Sequence, residues 1–299
     1  MRRNPLTGEE VPWSFRRNYG CNTAIASEHL ITFRSAAAGY FDLRADGGTG
    51  NLGGFRTGCS SNLIAADGVL NAPDYTRTCA CAYQVQTSLA MVHMPDAEMW
   101  TFNHIKSGKG SSIERVGINF GAPGDRRAPN GTLWLEYPVV GGPSPTIDVT
   151  VNATSETDKT AAEETINPKL ANPPVQYFRH HQSVIKGGPH RWVTSSGMTN
   201  VRNLRVGIGE AADEGSFTIR IYFAETQADL KEPRTFSVSI QGKPALDNFT
   251  PSAAAGGLFR GIMHEFKGIP VRDSLSISFS PAEGSGGPPI LCGIELLKE

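Results

Sequence analysis

The chain has 299 residues, with 28 Lys and Arg against 29 Asp and Glu for a formal net charge of -1, 39% hydrophobic residues, 33 glycines and 20 prolines. This even balance excludes the broad positive field that a nucleic-acid backbone requires, and no apolar run reaches the length of a membrane span. So much glycine and proline favours short strands between turns over long helices, which predicts a mostly-β chain of two units.

In the first unit, residues 1–103, Met1-Arg2-Arg3-Asn4-Pro5 is not followed by the apolar stretch of a signal peptide, so the chain brings no address of its own. Short apolar runs at 29–34, 38–43, 68–72 and 80–85 predict four strands, separated by the glycine-rich loop 46–54 and the Pro73-Asp74 turn. About four strands make one propeller blade, and a lone blade cannot bury both of its faces. Four of the five cysteines, Cys21, Cys59, Cys79 and Cys81, crowd into this third, as in a disulfide-stapled segment of an oxidising compartment. Cys79 and Cys81 fall on one side of a strand. Pairing each of them with one of the two upstream cysteines is the preferred arrangement; all three pairings stay open, and a zinc site is the alternative.

The order Tyr19-Gly-Cys21, Phe33-Arg34-Ser35, Gly39-Tyr-Phe-Asp-Leu43, Gly53-Gly-Phe-Arg-Thr-Gly-Cys59, Asp67-Gly-Val-Leu-Asn-Ala-Pro73 and Cys79-Ala-Cys81 resembles the closing blade of secreted bacterial PQQ-like (quinoprotein-like) β-propellers. The resemblance implies an extracytoplasmic protein, periplasmic or secreted, and missing propeller blades as partners in a longer parent chain. A single blade has no central channel, so no cofactor is expected.

Residues 104–114, with Lys106-Ser-Gly-Lys-Gly-Ser-Ser112, read as a flexible linker. The second unit, 115–299, opens with Val116-Gly-Ile-Asn-Phe-Gly121 and carries a long polar insertion at 154–169. Beyond it, apolar residues alternate at Phe217, Ile219, Ile221 and Phe223; at Phe236, Val238 and Ile240; at Leu275, Ile277 and Phe279; and at Ile290, Cys292, Ile294 and Leu296. Four strands with one apolar face each pair across two sheets as a sandwich, with Cys292 as a buried filler.

Ile219-Arg-Ile-Tyr-Phe-Ala-Glu225, Arg234-Thr-Phe-Ser-Val-Ser-Ile-Gln-Gly-Lys243, Leu246-Asp-Asn-Phe249, Leu275-Ser-Ile-Ser-Phe279 and Ile290-Leu-Cys-Gly-Ile-Glu-Leu296 resemble the malectin domain in order and spacing. The expected fold is therefore all-β, a malectin-like two-sheet β-sandwich preceded by a partial β-propeller. The resemblance implies a non-catalytic carbohydrate-binding or extracellular recognition module, its partner a glycan or a cell-surface molecule. The alternatives are the accessory tail of a quinoprotein-like or hydrolytic enzyme, or a structural cover for the propeller. Where the family's sugar-binding members carry aromatics, Thr226–Pro233 and Ser280–Pro289 carry none.

The remaining rings cluster around the Gly187-Gly188-Pro189 turn, and Tyr177, His180, His190, Arg191 and Trp192 are the candidate ligand-binding residues, as a stacking wall with cationic neighbours. The alternative is that Tyr177 and Phe178 straddle a strand, one ring in the core. His180, His181 and His190 lack the spacing of a metal site. No nucleophile elbow, phosphate loop or HExxH motif occurs, so no catalytic residue is expected.

Overall fold

A computed structural model of the chain describes residues 2–53, 55, 63–73, 89–92, 94, 97–105, 112–139, 144–145, 147–152, 174–209 and 215–299. The first third contains β1 (Arg2–Arg3), β2 (Glu10–Val11), β3 (Ile25–Ala26), β4 (Leu30–Ser35), β5 (Ala37–Asp42), β6 (Thr49–Asn51), β7 (Ile64–Ala66), β8 (Val69–Ala72), β9 (Leu89–Val92) and β10 (Thr101–Phe102). β1 pairs with β2, the order β10-β6-β5-β4-β3 makes a five-stranded sheet, and β7-β8-β9 make a separate three-stranded one. Among the described residues the first third thus forms three separate sheets, and the single four-stranded blade expected from the sequence is not shown. The reason for the separation lies at the edge of β6, which pairs with β10, where Phe102 is buried, so β7 to β9 pair among themselves. No closed sheet is found among the described residues. The predicted strand at 80–85 and Cys59, Cys79 and Cys81 lie outside the described residues. Cys21 is exposed, and it is not joined to Cys292.

The rest of the chain supplies β11 (Arg115–Phe120), β12 (Arg126–Arg127), β13 (Leu133–Tyr137), β14 (Val149–Val151), β15 (Gln176–Arg179), helix α1 (Arg191–Thr194), β16 (Ser196–Thr199), β17 (Asn203–Gly207), β18 (Gly215–Ala224), β19 (Phe236–Ile240), β20 (Lys243–Phe249), helix α2 (Pro251–Ala254), β21 (Gly261–Val271), β22 (Ser274–Pro281), β23 (Ile290–Leu291) and β24 (Gly293–Lys298). A six-stranded sheet, β12-β13-β11-β24-β18-β21, faces a five-stranded one, β14-β17-β22-β19-β20, and β15-β16-β23 form a small third sheet. Within the six-stranded sheet β11 and β13 run parallel and the other pairs are antiparallel. The predicted alternation sits where a sandwich needs it. Ile219, Ile221 and Phe223 of β18 pack in one core with Phe236, Val238 and Ile240 of β19 and Leu275, Ile277 and Phe279 of β22.

One run departs from the expected alternation. The strand predicted through Ile290, Cys292, Ile294 and Leu296 breaks at Cys292, because β23 pairs with β16 and β24 with β11 and β18. Cys292 is fully buried, as a filler should be, but it packs with Trp134 and Tyr222 and not with its neighbours' core. Burial pushes its thiol pKa up to about 12.

The first third is tied to the sandwich at several points. Leu6 is fully buried in the sandwich core, and its carbonyl accepts from the amides of Glu114 and Arg115 at 2.7 and 3.1 Å. Of the linker, residues 106–111 lie outside the described residues, while Ile113 is buried and donates to the Ile208 carbonyl at 2.7 Å. The central tie is Asp125. Its backbone exchanges both hydrogen bonds with Thr101, and its carboxylate accepts from Asn103 at 3.0 Å, Ser144 at 2.8 Å and the Glu136 amide at 3.2 Å.

The Asp125 side chain is inaccessible, and the cost of burying its charge outweighs these donors, raising its pKa to about 6. The folded chain therefore binds this proton more tightly than the unfolded one. The associated stability is complete below an unfolded value near 3.8 and is lost as the pH rises through about 6. A tenfold difference in proton affinity is worth about 1.4 kcal/mol, so the loss across this window is about 3 kcal/mol. Asp125→Asn mimics the protonated form, and urea unfolding at pH 4, 5, 6 and 7 should show the gap between variant and wild type widening in the variant's favour across that window.

Candidate functional site

The strand β18 ends the core at Phe223 and delivers Glu225 to one end of the sandwich. There Glu225 and Arg234 are both buried, at 2% and 1% exposure, with Arg234 Nε donating to Glu225 Oε2 at 2.6 Å. Two charges so fully removed from water persist only if their remaining hydrogen-bonding capacity is used. It is: Glu225 Oε1 accepts from the Gln227 amide at 3.0 Å, and Arg234 donates to Gln227 Oε1 at 3.1 Å and to the Pro288 carbonyl. One ion pair thereby fastens the end of β18, the 226–233 loop and the 281–289 loop.

Beside it lies a cleft of about 390 Å³, within the size range of small-molecule sites. One wall comes from β15 and its continuation, with Gln176, Tyr177, Phe178 and His180; the other is Glu225 to Asp229 with Arg234, and Thr199 and Ile290 also line it. Phe178 and His180 lie on the same side of the extended chain, ring centroids 6.0 Å apart, and Phe259 meets His180 edge-on at 6.2 Å. Tyr177 points the other way, toward the core and Tyr137, and burial raises its phenol pKa so that the hydroxyl keeps its proton. Tyr177 and Phe178 do straddle a strand, and both also border the cleft.

The structure divides the ring cluster expected around 187–189. His190, Arg191 and Trp192 do not line the cleft, because a turn of helix, α1, carries them across the outer face of the six-stranded sheet. Gly117 and Gly293 of β11 and β24 leave that face open: a Cβ on Gly117 would stand 2.2 Å from Trp134, and one on Gly293 2.5 Å from Val193. Trp134 lies in this hollow, edge-on to Tyr222 at 5.2 Å and to Trp192 at 5.5 Å. Trp192 is in turn covered by Trp100 from the first third, edge-on at 6.3 Å, and by the Arg126 guanidinium 4.9 Å above its ring.

At 7% exposure Trp192 is a packing residue, and its expected role as a stacking surface is corrected. His190 stacks on Tyr222 at 5.8 Å, and burial lowers its pKa against the pull of Glu295, so the ring is neutral at neutral pH. Glu295 beneath is inaccessible and accepts from Asn130, Thr132, Arg220 and Tyr222. Arg191 is exposed. Among the described residues, no group of three or more His, Cys, Asp or Glu could hold a metal ion.

Sequence reasoning missed Glu225, Gln227, Asp229 and Arg234. Glu225 and Arg234 end and begin runs of the malectin resemblance, but their pairing spans a loop that carries no periodic signal. The cleft thus lies beside a loop and a strand end of a sandwich whose last strands show the expected order. Residues 192–298 match the malectin-like domain. No curated protein matches the chain.

Solved structures similar to the chain include a Bacteroides uniformis β-glucuronidase at 15% identity and a TM-score of 0.43, over 62% of this chain and 18% of that one. A calcium-binding mutant of Bacteroides uniformis β-glucuronidase 2 shows 15% identity and a TM-score of 0.45, over 77% and 22%. The ANX2 ectodomain from Arabidopsis thaliana shows 15% identity and a TM-score of 0.35, over 62% and 42%. The matched part spans less than half the length of each of these proteins.

Arg234→Ala would leave Glu225 charged, buried and unpaired in the malectin-like part, at a cost of about 3–5 kcal/mol. Equilibrium unfolding checks this, and Glu225→Gln combined with Arg234→Met should recover part of the loss. Trp192→Ala should cost about 3–5 kcal/mol as a core truncation. The milder Trp192→Phe should leave any affinity of the cleft unchanged, as titration of the folded variant would show.

Proposed function

We propose that the chain is a non-catalytic recognition module whose sandwich binds carbohydrate, or a sugar-bearing cell-surface partner, in the cleft between Phe178-His180 and the 225–229 loop. The observation that carries this reading is the pairing of an apolar ring wall with a fixed polar wall. The C–H face of a pyranose packs on rings, and its hydroxyls need replacements for lost water. Phe178 and His180 offer the first, while Gln227 and Asp229, both exposed on the braced loop, offer the second. The match of residues 192–298 to the malectin-like domain supports the same assignment.

A binding role also suits the carboxylates. Glu225 has both oxygens committed to Arg234 and the Gln227 amide, which leaves it a structural brace and not a proton carrier. The reading places the protein outside the cytoplasm, with residues 1–103 as the end of a PQQ-like propeller, 104–114 as a connection and 115–299 as the recognition domain.

A second reading has one observation in its favour: Trp100 and Arg126 cover Trp192, and Glu98 accepts from Arg179 at 3.3 Å and from the Gln182 amide at 2.6 Å. On that reading the sandwich is a structural cover for the first third. A glycan array probed with the full chain separates the two. Recognition predicts selective binding, weakened about 5- to 10-fold by His180→Ala and by Asp229→Ala, the scale of one lost contact of about 1 kcal/mol. Silence across the array leaves the cover as the function.

A further inference from the structure

The first third contains a second cleft, which shares no residue with the one in the sandwich. It opens between residues 11–16 and strands β5, β6 and β10. Its volume of about 290 Å³ sits at the lower end of small-molecule sites, roughly 300–1,000 Å³, and suits one ring more than an oligomer. The walls divide by chemistry. Phe15 and Phe41 supply an aromatic side, their centroids 5.7 Å apart, with Phe15 held against Phe33 at 5.1 Å. Arg2, Arg16 and His104 supply basic groups, and no Asp or Glu lines the cleft.

Both arginines retain donors. Arg2 Nη1 is tied to Asp46 at 2.8 Å, but its Nε is buried without a hydrogen bond, an arrangement that costs free energy until an acceptor arrives. Arg16 is exposed and belongs to none of the ion pairs among the described residues.

We infer that this cleft binds a small ring compound bearing a carboxylate. A planar carboxylate matches the forked donors of guanidinium groups, and the apolar face of the ring packs on Phe15 and Phe41. An acidic sugar and an aromatic acid both present that chemistry. The inference is independent of the sandwich cleft and survives its failure.

The test is titration of the full chain, followed by ligand-observed NMR and calorimetry, with methyl β-D-glucuronide, methyl β-D-glucoside and phenylacetate. At least one of the two acids should bind, at least tenfold more tightly than the neutral glucoside and more weakly as salt is raised. Glucuronide binding points to an acidic sugar, and phenylacetate binding alone to an aromatic acid. Arg16→Gln, a change at an exposed side chain, should weaken the bound acid at least tenfold without shifting the melting temperature. The inference is overturned if neither acid binds, if the glucoside binds as well as the acids, or if Arg16→Gln has no effect.

Discussion

A β-sheet removed from water on both faces needs two sets of apolar partners, and the six-stranded sheet of this protein finds them in different parts of the chain. Its inner face, with Ile219, Ile221 and Phe223, meets the five-stranded sheet and makes the ordinary core of a sandwich. Its outer face is a second layer of Trp134, Trp192, Tyr222 and Cys292 over the hollow left by Gly117 and Gly293. The layer contains a buried carboxylate, Glu295, that accepts from four donors, while the Trp134 indole Nε1 is buried there without a hydrogen bond. Because Trp100 packs against that layer, the first third is part of how the sandwich is stabilised.

This double burial decides where ligands can go. Rings near one another in sequence around the 187–189 turn are divided: Tyr177, Phe178 and His180 on β15 and its continuation border the open cleft, while helix α1 and its N-cap carry Trp192 and His190 to the outer layer. The cleft keeps its form because the Glu225–Arg234 pair holds two loops from below. Buried ion pairs contribute little net stability compared with apolar residues of the same size, but they penalise every arrangement that separates the partners. That penalty suits a binding loop, which must hold its donors and acceptors in place.

The joint at Asp125 has a similar logic. A buried carboxylate with three side-chain and backbone donors joins Asn103, Ser144 and Glu136 across the boundary between the two parts of the chain. Together with the Arg127–Asp46 pair, it sets the first third against the six-stranded sheet at β12. The two clefts differ in chemistry, one polar and amide-rich beside rings, the other basic beside rings.

Much of the sandwich was legible in the sequence, because alternation along β18, β19, β22 and β24 is a local pattern that water enforces on any strand with one buried face. The strand at Gln176–Arg179 and the burial of Cys292 were legible for the same reason. The partnership of Glu225 with Arg234, the cover over Trp192 and the pairing of β10 with β6 were not. Each depends on which distant residue arrives at a given face, and neither periodicity nor composition records that. Alternation along the chain marks which strand faces are apolar; the burial of Trp192, Glu225 and Arg234, and the partner that each face meets, come only from the packing of sheets, loops and the first third, because no local pattern records which distant residue arrives.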